Sequence, residues 1–101
     1  MKQKFALTTL LFFVGAIGLS SVSADAADRD FCRDYAQTAL RQVHDALSVP
    51  ACRVGLKGDR WSSDYRIHFN WCLHAAVPKI ESERAAREGY LYGCGAFRPY
   101  R

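Results

Sequence analysis

The sequence contains no internal repeat and no low-complexity tract, and no linker interrupts it after its first two dozen residues. A chain of 101 residues with these absences has room for one domain and is neither a repeat array nor a multidomain protein. It also lacks a large excess of one charge: 14 Lys and Arg stand against 10 Asp and Glu, a net +4. The two signs alternate along the chain as on an ordinary solvated surface, which is not the balance of a nucleic-acid-binding protein. No apolar run reaches the ~20 residues needed to cross a bilayer. Finally, no cysteine is left over. The four are Cys32, Cys52, Cys72 and Cys94, an even set spaced through the chain.

What is present at the start reads as a secretory leader. Lys2 and Lys4 form a short positive region, residues 5–19 are apolar and uncharged, and residues 20–26 are mostly small. Cleavage is expected after Ala24, with Ala26 as the neighbouring choice, so residues 1–24 form a signal peptide. No stable membrane anchor is expected to remain. No cysteine follows the cleavage site, which argues against a lipid-modified N-terminus. The remaining 77 residues keep twelve basic and ten acidic side chains, since Lys2 and Lys4 leave with the leader. So small a domain buries a modest core and usually needs staples, and an even cysteine count in a short exported chain reads as a disulfide framework.

Three helices are predicted. Over residues 28–48, Phe31, Cys32, Tyr35, Ala36, Ala39, Leu40, Val43, Ala46 and Leu47 recur at spacings of three and four, laying an apolar stripe on one face. Arg33, Asp34, Gln37, Arg41, Gln42 and Asp45 fall mostly on the other face. Asp28 or Asp30 suits the start, and Val49-Pro50 ends the helix, because a residue before proline is pushed out of the helical region. Residues 51–60 read as a polar loop. A second helix is expected over 62–75, capped by Ser62 or Ser63, with Trp61, Tyr65, His68, Phe69 and Cys72 in register. A third runs over 78–92, opened by Pro78 and supported by the i,i+4 pairs Glu83–Arg87 and Arg84–Glu88. Residues 93–101 are expected to form a loose tail, with the tail proper at 95–101.

The fold class is therefore all-α: a small three-helix up-down-up domain stapled by two disulfides. Helix length decides which sulfurs meet. Cys32 and Cys52 stand ~25 Å apart at opposite ends of the first helix and cannot bond to each other. In an antiparallel layout Cys72 returns to the Cys32 end and Cys94 to the Cys52 end. Cys32–Cys72 with Cys52–Cys94 is the preferred pairing, over Cys32–Cys94 with Cys52–Cys72, which helix length opposes.

The run Cys32-Arg33-Asp34-Tyr35-Ala36, then Gln42, Cys52, Arg60-Trp61-Ser62-Ser63-Asp64-Tyr65, His68 and Trp71-Cys72-Leu73, resembles a short cysteine module of secreted alphaproteobacterial proteins. The resemblance spans residues 32–94, and the Trp-Cys-Leu segment with its upstream histidine is its most specific part. It implies a small exported fold and brings no activity with it.

Residues that suggest chemistry mostly have a plainer role. His68, Cys72 and His74 resemble metal ligands, but cysteine binds zinc as a thiolate, most sites need four ligands, and Cys72 is expected in a disulfide, so no metal or other cofactor is expected. His68 is instead expected to be buried or half-buried and bonded to Asp64 or to backbone. A Cys–His nucleophile needs a free thiolate, and none is spare, so enzymatic activity is not expected. The binding candidates are Arg60, Trp61, Tyr65, His68 and Trp71, with Tyr35 beside them. Trp61 and Tyr65 are expected to fill core, while Trp71, out of register, should be partly exposed. Tyr90, Tyr92, Phe97 and Tyr100 form a second aromatic group and, if exposed, a contact surface. Arg60 and Arg84 are expected to pair with Asp64, Glu81 or Glu88. These features suggest a non-enzymatic binding module for a cell-envelope glycan or a protein, in the periplasm or outside the cell. The alternative is a small inhibitor or envelope stress protein acting on an exported enzyme, which a protruding 55–58 loop and a buried Trp71 would favour. Intact mass before and after reduction of the exported product should show loss of residues 1–24 and two crosslinks. Thiols titrating in the folded product would overturn the framework.

Overall fold

A computed structural model of the chain describes residues 27–97; the expected leader, its cleavage sites and Tyr100 lie outside the described residues. Four helices follow one another: α1 (Arg29–Ser48), α2 (Pro50–Arg53), α3 (Tyr65–Leu73) and α4 (Val77–Cys94), with a 3₁₀ turn at Asp59–Trp61. None of the described helices is long and apolar enough to cross a membrane.

The carboxylate of Asp28 caps α1 by accepting from the Phe31 N–H at 2.8 Å, a contact that contributes about 1 kcal/mol. Val49, held extended before proline, ends it. Pro50 then opens the one-turn α2, a helix that the loop expected at 51–60 did not include. Proline pre-sets the backbone for a first helical position as readily as it stops a preceding helix. Asp64, rather than Ser62 or Ser63, caps α3, accepting from the Arg66 N–H. The helix is correspondingly shorter than the expected 62–75. In contrast, α4 runs past Tyr92 through Gly93 to Cys94. Gly95 ends it at φ 89, a left-handed conformation that favours glycine, and the Ala96 N–H closes the turn on the Leu91 carbonyl at 2.8 Å. Ala96 is buried, so the expected loose tail is packed at its start.

The disulfides are Cys32–Cys72 and Cys52–Cys94, with Cα atoms 5.5 and 5.3 Å apart. Each closes a loop of about 40 residues and stabilises by about 2–4 kcal/mol. A hydrophobic cluster surrounds each bond. Cys32, Tyr35, Cys72 and Ile80 form one, with Phe31, Phe69 and Leu73 against it; Ala46, Cys52, Leu91 and Ala96 form the other, with Trp61 and Tyr90 against it. The arrangement is up-down-up. Cys72 at the end of α3 meets Cys32 at the start of α1, so those two run antiparallel, while α1 and α4 run parallel. Both α3 and α4 pack on α1 and touch each other little.

Between the two clusters α1 buries Ala36, Ala39 and Val43 together with polar groups. Gln42, expected on the solvent face of α1, is fully buried, and so is Arg87, expected in a surface pair with Glu83. Arg87 Nε donates to Gln42 Oε1 at 2.6 Å. On the rest of α4, Arg84 lies 3.3 Å from Glu81, one of its expected partners, whereas Glu83 pairs with Arg60 and not with Arg87. Near α2, Tyr90 turns inward. Its hydroxyl donates to the Cys52 carbonyl at 2.7 Å and accepts from the Gly55 N–H at 3.2 Å. A Cβ at Gly55 would stand 2.7 Å from that oxygen.

Gly55→Ala should therefore cost about 1–3 kcal/mol by urea denaturation, with a smaller cost in a Tyr90→Phe background, where the crowding oxygen is gone. Strictly additive costs in the double variant would show that this contact is not what requires glycine.

Candidate functional site

Because α3 and α4 splay apart on α1, a cleft of about 540 Å³ opens between them. Tyr35 of α1 lies at its floor, 1 % exposed. Ile67, His68 and Trp71 line it from α3, and Lys79, Glu83, Arg87 and Tyr90 from α4; the 3₁₀ turn and the residues before it close one end with Lys57, Asp59, Arg60 and Trp61.

The tryptophans and the floor tyrosine pack on one another's neighbours. Trp71, 37 % exposed at the rim, lies with its ring centroid 5.8 Å from that of Tyr35. Trp61 is half-buried against Tyr90 at 5.1 Å. The guanidinium of Arg87 sits 5.1 Å from the Tyr35 ring centroid and that of Arg84 5.9 Å from it, both within reach of a cation–π attraction.

Three contacts fix the turn that closes the cleft. The side chain of Arg60 grips Glu83 through two hydrogen bonds, Nε to Oε1 at 2.8 Å and Nη2 to Oε2 at 2.9 Å. A forked pair of this kind, partly shielded on the Glu83 side, is worth about 1 kcal/mol. It holds the Glu83 carboxyl below its ordinary range and the Arg60 guanidinium above its own. The Arg60 carbonyl accepts from Arg87 Nη1 at 3.4 Å. The Ser62 carbonyl accepts from His68 Nε2 at 2.7 Å, so the neutral tautomer carries its proton on Nε2.

Of the residues singled out from the sequence, Arg60, Trp61, His68 and Trp71 meet in this cleft. Tyr65 does not: it stacks on Phe69, with ring centroids 5.7 Å apart and planes 14° apart, away from the cleft. Trp61 and Tyr65, expected as core, are half-buried rather than buried. His68 is buried and bonded to backbone, one of its two expected arrangements, while Asp64 pairs with Arg66. In the second aromatic group Tyr90 is turned into the structure, whereas Tyr92 and Phe97 are exposed and meet edge to face. The residues that sequence reasoning missed are Lys79, Glu83, Arg87 and Tyr90. The one available signal is that positions 80, 83, 87 and 90–91 share a face of α4.

Chemically the cleft offers ring faces, one locked ion pair, and two lysines, Lys57 and Lys79, that form no ion pair among the described residues. All four cysteines are in disulfides, and His74 Nδ1 bonds the Asn70 carbonyl. Among the described residues no three His, Cys, Asp or Glu side chains gather as metal ligands. Compared with protein-family models, curated proteins and solved structures, the chain matches none.

Burial pushes the His68 imidazole below its ordinary 6.5; the charge of Arg87 adds to this, and the Ser62 carbonyl, Asp59 and Asp64 oppose it. The fold thus favours neutral His68, and the unfolded chain takes up the proton first. Stability is full above about pH 6.5 and falls as pH drops below it, until folded His68 is itself protonated. Glu83, with its pKa depressed, adds a loss only further down, below its ordinary 4.5. The urea midpoint should fall between about pH 7.5 and pH 5, and His68→Gln, whose amide still donates to Ser62, should flatten that part of the profile. An unchanged acid slope in His68→Gln would exclude this histidine as its source.

Proposed function

We propose that the chain is an exported, non-enzymatic binding module, and that the cleft between α3 and α4 receives a cell-envelope glycan. The observation that carries this reading is Trp71, held at the rim of an open cleft with over a third of its surface exposed and Tyr35 beneath it. Sugars present patches of C–H that pack on ring faces and hydroxyls that seek fixed polar partners; this cleft has ring faces in Trp61 and Trp71 and polar groups in Arg60, Glu83 and Lys79. Two disulfides in so small a fold fit an oxidising environment, and the leader read from residues 1–24 supports the periplasm or the cell exterior. The cysteine module that the sequence resembles supports the same placement.

A protein target is the second reading, in the form of a small inhibitor of an exported enzyme. Val54, 82 % exposed beside the 55–58 segment, favours it. The partial exposure of Trp71 and the tether from Gly55 to Tyr90 weigh against a protruding inhibitory loop.

On a glycan array, and in pull-down with peptidoglycan, the oxidised protein should bind. Trp71→Ala should weaken binding about tenfold, the scale of one lost ring contact with its surrounding packing. Tyr92→Ala, exposed and away from the cleft, should bind as the parent does. No binding, with tryptophan emission unchanged by any glycan, would remove the glycan reading.

A further inference from the structure

Arg87 is fully buried, and among the described residues no carboxylate pairs with it. Arginine carries a fixed positive charge, and burying one without a countercharge is costly. Gln42 Oε1, the Arg60 carbonyl and the Tyr35 ring face each take part of that charge, but none cancels it. One N–H-bearing nitrogen, Nη2, has no hydrogen-bond partner among the described residues. The nearest candidate anion, Glu83, one turn earlier on α4, is already gripped by Arg60. Arg87 lines the cleft, and so do Lys57 and Lys79, which have no ion pair among the described residues. Around this opening four cations, Lys57, Arg60, Lys79 and Arg87, face two carboxylates, Asp59 and Glu83, whereas the 77 residues after the leader hold twelve basic and ten acidic side chains in all.

We infer that the cleft selects an acidic glycan, whose anionic substituent is held at the rim by Lys57 and Lys79 over the buried and only partly compensated charge of Arg87. The inference rests on the glycan reading above and specifies its ligand class. The rings of Trp61 and Trp71 pack on the sugar. The two lysines, exposed and on flexible stems, reach the anion directly. Arg87 acts from beneath without needing to touch the ligand, because a charge in a low-dielectric wall focuses its field into the cleft it lines. A carboxylate and a phosphate ester both satisfy this chemistry.

The test uses the oxidised full-length export product and isothermal titration at low salt. Trigalacturonic acid is compared with its methyl ester, a near-isosteric neutral form, and a phosphorylated trisaccharide with its dephosphorylated form. At least one charged member should bind about tenfold or more tightly than its neutral twin, and which pair shows the difference identifies the anion. The preference should shrink as salt rises. It should also shrink at least about threefold in Lys57→Gln/Lys79→Gln, whose substitutions are on exposed side chains and leave the packing intact. Arg87→Met, if it folds by thermal melt, should reduce the preference further; if it does not fold, the lysine variant alone decides. Charged and neutral members binding equally would overturn the acidic class and leave the glycan reading standing. A preference untouched by the lysine substitutions would also overturn the inference. No member of either pair binding would overturn both.

Discussion

Two sulfur–sulfur bonds, one at each end of a short bundle, are what the rest of this structure depends on. Each sits inside its own small cluster of apolar side chains, and neither cluster is large. Between them α1 buries only small apolar side chains, Ala36, Ala39 and Val43, and the middle of α1 and α4 also holds Gln42 and Arg87. The covalent links at the two ends stabilise by an amount comparable with the whole net stability of a domain this size, and that makes a polar middle tolerable. They also explain the division of labour along the bundle: the ends hold, and the centre is free to be something other than packing.

That centre has a clear geometry. Positions 35, 42 and 46 on α1 sit level with 80, 87 and 91 on α4, a constant offset of 45 residues that is what two parallel helices in fixed register produce. The Gln42–Arg87 hydrogen bond marks this register. A slip by one position would separate them and leave two polar groups buried without partners, an outcome far more costly than a mismatched apolar contact. The same arginine reaches the Arg60 carbonyl, so the turn that closes the cleft is tied to the layer that sets the register. Fold and cleft share one side chain.

Much of this was legible in the sequence. Apolar spacing gave the first helix to within a residue at its start, and helix length alone chose between the sulfur pairings, because 1.5 Å per residue leaves little freedom over twenty residues. Arg60, Trp61, His68 and Trp71 were recognised as a group because they stand close together in the chain. The α4 half of the cleft was not recognised, for a specific reason. Glu83, Arg84, Arg87 and Glu88 form a pattern that on an isolated helix is best satisfied by i,i+4 pairing at the surface. In the folded chain the guanidinium of Arg87 turns inward over the Tyr35 ring, and Glu83 finds Arg60 from a distant turn instead. Gln42 was misread for the matching reason: a polar side chain at the edge of an apolar stripe reads as solvent-facing unless its partner, 45 residues away, is known. Tyr65 went the other way, since helical register with Cys72 does not distinguish the face toward α4 from the face toward Phe69.

The shortness of α3 carries a consequence for when the protein becomes competent. Nine residues seldom stay helical unaided, and only His68 and Cys72 of that helix are fully buried. Its last turn is moored to α1 by a bond that does not exist until an oxidant has acted. Before that moment the wall bearing Trp71 has no fixed place opposite α4, and the hollow between them has no defined width. Oxidation would then be the step at which that hollow acquires its shape, so a copy kept reduced would lack the cleft as well as the stability.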